Sequence, residues 1–168
     1  MIQRIQSLYF LLAIVILVGF LFIPIVHIVD TVSGLKASLS VFYIDPVTNA
    51  FSIRSAWGND SDFFSDALSY ILLGEVFSTT FLLIFTILMF KDRAKQLLFS
   101  KVVMLLLSVL SVLSLVYLFT VKPSEGIEVD YVRSYGAFFP IFALIATYFG
   151  YKGVKSDDEL IKSADRIR

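Results

Sequence analysis

Four stretches of the chain lack the polar residues that a water-facing surface needs. Residues 8–29, 68–90, 101–121 and 135–152 are runs of Leu, Ile, Val, Phe and Ala, with no charge between Val102 and Val121 or between Tyr135 and Tyr151. A hydrocarbon core about 30 Å thick takes roughly 20 apolar residues as a helix. The pattern therefore predicts four transmembrane helices. The fourth run is the shortest, and it spans if it stands upright or if the bilayer thins around it. The first follows Arg4, as the core of a signal peptide would. Its apolar stretch exceeds the usual roughly 7–15 residues, however, and no small-x-small pattern follows Pro24, so it reads as a retained span.

The connections have patterns of their own. Residues 30–66 are too long for a plain connector. Leu35 to Ile44 is rich in Val, Phe, Tyr and Leu, the cluster Asp45-Pro46-Val47-Thr48-Asn49 favours a turn, and Ala50 to Ser55 alternates apolar with polar. That sequence predicts a small β-hairpin. In the connection 122–134, Ile127 to Val132 alternates in the same way and offers a third strand. In the tail, 153–168, Ser156-Asp157-Asp158-Glu159 has capping-box spacing, and Leu160, Ile161, Ala164 and Ile167 recur at helical intervals. This predicts a separate short amphipathic helix, too short to be stable without a surface to lie on. The fold class expected is an all-α membrane protein: a four-helix transmembrane bundle with a small periplasmic β-hairpin and a short C-terminal amphipathic helix.

Composition agrees. The apolar fraction is 58%, against about 45–50% in soluble chains, and mean hydropathy is +0.85. Charge sets the orientation. Ten of the fourteen basic residues lie before the first span, between the second and third, or in the tail. The two long connections between spans carry most of the acids. The positive-inside rule then places both termini in the cytoplasm. Net charge is zero, which gives no reason to expect a nucleic-acid partner. The absence of cysteine removes disulfides, thiolate metal sites and thiol redox chemistry, and a single histidine argues against zinc.

The two ends resemble a known family. The chain opens Met1-Ile2-Gln3-Arg4-Ile5-Gln6-Ser7-Leu8-Tyr9 and closes on Asp157 to Arg168, DDELIKSADRIR, with Tyr135-Gly136-Ala137-Phe138-Phe139-Pro140 opening the fourth span. This is similar to a family of uncharacterised four-span inner-membrane proteins of Bacteroidota, and the resemblance covers the whole chain. It implies a bacterial inner membrane and a periplasmic outer face, and it transfers no catalytic residue. The layout also resembles claudin-like four-span proteins, but only as layout, because their paired loop cysteines are missing here.

The candidate functional residues are few. Glu75 is the one acid inside a span, about 10 Å from Leu68 along the helix, and an intramembrane carboxyl is a functional candidate by default. Gly74 and Ser78 are expected to make its face small and polar and to turn it into the bundle. The bland alternative is a glutamate that only stitches helices together. His27 is expected near the outer end of the first span, within possible reach of Glu75. Ser108, Ser111 and Ser114, and Ala143, Ala146 and Gly150, allow close helix packing. Lys91, Arg93, Lys95 and Lys101 are candidates for lipid-headgroup contact, although membrane orientation alone requires such a basic loop. Leu160, Ile161, Ala164 and Ile167 form a candidate partner-binding face. Asp62 and Asp66 are more readily solvated acids than a cation site.

No phosphate loop, metal-spaced set or nucleophile–base pair appears, and no cofactor is expected. The sequence supports a non-enzymatic accessory subunit or scaffold. Its expected contacts are membrane lipids and either a protein partner or further copies of itself. The alternative is a small transporter or permeation protein built around Glu75.

Overall fold

The computed structural model describes residues 3–23, 25–30, 36–39, 43–44, 51–52, 63–120, 129–133 and 135–166. Four long helices carry the molecule: α1 (Gln3–Phe22), α2 (Phe63–Leu88), α3 (Arg93–Thr120) and α4 (Phe139–Arg166), the last preceded by a 3-10 turn, Tyr135–Phe138. All four are long and apolar enough to cross a membrane, which is the pattern of a multi-pass membrane protein.

The first helix is shorter than the apolar run that contains it. It stops at Phe22, with Ile23 N–H still donating to Gly19 O at 3.0 Å. Proline has no N–H to give and disfavours helix at the residue before it. Ile-Val-His-Ile-Val follows Pro24, a β-branched run suited to a strand. Val26–Asp30 accordingly forms strand β1. The expected span of 8–29 is thus corrected at its far end. Twenty helical residues already cover about 30 Å, and the remaining apolar residues serve a sheet.

That sheet differs from the predicted hairpin. Strand β1 is central, with β2 (Lys36–Leu39) on one side and β5 (Val129–Arg133) on the other, both antiparallel. The register sets His27 opposite Ser38 and Val132. Among the described residues a self-standing hairpin of 35–44 on 50–55 is not the arrangement: Lys36–Leu39 pairs with β1, and Tyr43–Ile44 (β3) pairs with Phe51–Ser52 (β4) as a separate two-residue ladder. The third strand joins β1 rather than the hairpin. The turn cluster 45–49 lies outside the described residues.

The helices form a ring in which α1 packs along α4, α4 along α3, and α3 along α2, with a thinner seam between α2 and α1. The core runs along the inward faces: Phe10, Leu17 and Phe20 of α1, Leu72, Val76 and Leu83 of α2, and Val103, Leu107 and Leu110 of α3. From α4 come Ala143, Ala146 and Val154. Outward faces carry Leu, Ile, Val and Phe that are about half exposed or more, as lipid contact demands.

Small residues set the α1–α4 seam. A side chain added at Gly150 would lie 2.9 Å from the Phe10 ring, and one at Gly153 2.9 Å from Gln6 Cγ. Phe10 is fully buried. These glycines form the notch into which α1 fits. They do not end the fourth helix, which continues unbroken to Arg166. The separate tail helix is therefore corrected. Ser156 lies inside α4, and its capping-box spacing caps nothing.

Candidate functional site

Inside a membrane each hydroxyl needs a partner within the protein, and in these helices a carbonyl one turn back commonly supplies it. Thr86 donates to Leu82 O at 2.7 Å, Ser100 to Gln96 O at 2.8 Å, Ser111 to Leu107 O at 2.7 Å and Thr147 to Ala143 O at 2.9 Å. Ser114 donates both to Ser111 O and, across to the turn before α4, to Ala137 O, each at 3.0 Å. Ser111 and Ser114 are buried, as are Ala143, Ala146 and Gly150, whereas Ser108 is exposed. These small residues pack the bundle against itself.

Thr79 breaks the rule. It is fully buried, and its Oγ1 has no hydrogen-bond partner. The carbonyl it would use, that of Glu75, already accepts from Ser78 at 3.0 Å. Glu75 is half-buried, and its Oε1 is likewise buried without a partner. One helical turn of α2 thus holds two buried polar atoms that the protein does not satisfy. Each such group ordinarily costs about 1–3 kcal/mol.

The surroundings of Glu75 differ from expectation. Gly74 and Ser78 are exposed on the lipid side, and a side chain added at Gly74 would meet nothing within 4 Å. The small polar face therefore points away from the bundle, and Glu75 sits at its edge beside buried Val76 and Leu72. Helix α2 presents its core side at a period near four residues, through Leu72, Val76, Thr79 and Leu83, and Glu75 falls one position off that line. His27 lies in β1, beyond the end of α1, in a different element from the one expected.

A second polar cluster, which sequence reasoning missed, ties the end of the bundle where the termini lie. Gln6, buried at the start of α1, donates through Nε2 to Asp157 Oδ2 on α4. Arg93, at the start of α3, donates to the Asp157 carbonyl at 3.5 Å. The signal available was Gln6 itself, one helical turn before Phe10 on the same face. Nearby, Lys95 pairs with Asp92 at 3.0 Å, and its hydrogen bond holds the Asp92 carboxyl below the usual carboxylate range. Further along α4, Lys155 pairs with Glu159 at 3.8 Å and Lys162 with Asp158.

Of the expected headgroup contacts, Lys95 is thus engaged by a carboxylate, Arg93 by the Asp157 carbonyl, Lys91 lies 5.9 Å over the Phe90 ring, and Lys101 is exposed with no partner among the described residues. Leu160 and Ile161 are 60% and 44% exposed on the last turns of α4. The Ala164 position is within α4, while Ile167 and Asp62 lie outside the described residues. Among the described residues no three His, Asp or Glu side chains come together as a metal set.

Comparison with curated proteins and with solved structures gives no match. The chain belongs to the family of the domain of unknown function DUF4293, whose model matches residues 2–167.

Proposed function

We propose that this protein is a non-enzymatic accessory subunit or scaffold of a complex in the bacterial inner membrane, with both termini in the cytoplasm and the strands in the periplasm. The observation that supports this most is the unbroken run of α4 past its apolar segment to Arg166. Arg93 at the foot of α3 meets the Asp157 carbonyl. Nine further residues therefore carry α4 about 14 Å beyond that level. The projection bears Leu160 and Ile161 in the open, held on a helix stiffened by two i,i+4 ion pairs. A rigid helix with exposed apolar residues suits a partner's groove. Mass spectrometry of the tagged protein purified from its native membrane in mild detergent is the test. The expected result is a stoichiometric partner, which is lost from L160S/I161S while the bundle still elutes as before. Recovery of the same partner from that variant would remove the tail from the interface.

A second reading, a small transporter or permeation protein, draws on the two unsatisfied buried oxygens of Glu75 and Thr79. Such groups suit a passing ligand better than a finished core. On this reading Glu75→Gln abolishes a flux across reconstituted vesicles without loss of assembly. An unchanged flux would leave Glu75 a structural residue.

A further inference from the structure

Most of the described basic side chains at the terminal end of the bundle are engaged: Lys95 with Asp92, Lys155 with Glu159 and Lys162 with Asp158 as ion pairs, Arg93 with the Asp157 carbonyl, and Lys91 over the Phe90 ring. Lys101 and Lys152 are exposed, and neither has a carboxylate partner among the described residues. Their positions are alike. Lys101 immediately precedes the charge-free run Val102–Val121 that begins in α3, and Lys152 immediately follows the charge-free run Tyr135–Tyr151 that ends in α4.

The helices α3 and α4 pack antiparallel with a fixed register. Arg93 meets Asp157 at one end, and Ser114 meets Ala137 at the other. Lys101 lies eight residues above Arg93, about 12 Å, and Lys152 lies five residues above Asp157, about 7.5 Å. The two Cα positions thus lie within about 5 Å of the same height, each at the end of a charge-free run, and flexible lysine stems can close that difference.

On the membrane side of each lysine the surface is apolar and exposed. Leu105 lies one turn above Lys101, and Tyr148 and Phe149 lie one turn above Lys152. A ligand for this place needs an anion at the lysines and a hydrocarbon tail above them.

We propose that Lys101 and Lys152 form the headgroup contact of an anionic phospholipid held at the inner rim of α3 and α4. The phosphate lies against the ammonium groups and the acyl chains run along Leu105 and Phe149. This site needs only the bilayer, so it stands or falls apart from the subunit reading.

The test uses the full chain in mild detergent, titrated with phosphatidylglycerol and with phosphatidylcholine of the same acyl chains, and counts bound lipid by native mass spectrometry. Phosphatidylglycerol is expected to bind in preference. Each lysine lost should reduce that preference about fivefold, and K101Q/K152Q about twenty-five-fold. K101R/K152R should bind as the wild type does, and K155Q/K162Q should leave the preference unchanged. If the double glutamine variant does not elute as the wild type does, K101Q and K152Q singly carry the same reading. The proposal is overturned if the wild type shows no preference, if removing the two charges leaves it intact, or if inorganic phosphate at equal concentration displaces the lipid.

Discussion

At the scale of single residues, the glycines divide by what stands opposite them. Gly150 and Gly153 are bare because Phe10 and Gln6 of α1 occupy the space a side chain would take. Gly74 is bare on the lipid side with nothing near it. The two cases predict opposite signs. Gly150→Ala sets a methyl 2.9 Å from a fully buried ring that cannot swing away, and overpacking of this kind costs about 1–3 kcal/mol. Phe10→Leu in the same chain should return part of that loss. Gly74→Ala meets no obstacle and removes a flexible helix position, a gain of about 0.5–1 kcal/mol. Thermal unfolding in one detergent reads all three. A melting temperature that falls equally for Gly74→Ala and Gly150→Ala would mean that Gly74 is packed against something, and the lipid-side notch would then be an interface. Thr79 and Glu75 belong to this scale too. Their types were visible in the sequence, but that neither buried oxygen finds a partner depends on which donors and acceptors the neighbouring helices bring to that level, and no one-dimensional pattern records this.

At the scale of elements, hydrophobic pattern located the four spans well and their ends poorly. Apolar residues suit both a membrane helix and a buried strand, so the run 8–29 hid the change at Pro24 from helix to β1. The local signal was present in the proline and the β-branched run after it, but hydropathy outweighed it. The tail failed in the other direction. Ser156-Asp157-Asp158-Glu159 has the residues of a helix start, and two glycines stand just before it. Tertiary packing overrides both, because Gly150 and Gly153 are held helical against α1 and Asp157 is held by Gln6. The two accounts of Ser156 separate on one substitution. As an N-cap, Ser156→Ala would cost about 0.5–2 kcal/mol and shorten the helix. Inside a continuous α4, exposed Ser156 becomes a better helix former, and stability should change by less than about 0.5 kcal/mol. Circular dichroism and melting of the Ser156→Ala chain decide between them, and a clear loss of helicity would restore a break between span and tail.

At the scale of the whole molecule, the α1–α4 seam is fastened at both ends. Beyond the end away from the termini, β1 follows α1 and pairs along its length with β5, which precedes α4. At the other end, Gln6 holds Asp157. The glycine notch lies between them. Among the described residues, helix α2 has no comparable fastening. It packs along α3, meets α1 by a thinner seam, and carries the unsatisfied Thr79 and Glu75 oxygens within its buried side. Local opening follows the weakest cooperative unit first, so α2 should separate from the bundle before α1 and α4 part. Because the chain has no cysteine, a single thiol can report each seam. Thr79→Cys places one on the inward side of α2, and Ala146→Cys places one on buried α4. Under pulsed labelling across a denaturant series in mixed micelles, the thiol at position 79 should become reactive at lower denaturant than the thiol at position 146. A common midpoint would mean that the four helices open as one unit. A separable α2 would also place the one intramembrane carboxyl on the element freest to move, which is where either a permeation path or an exchangeable helix contact has to be built.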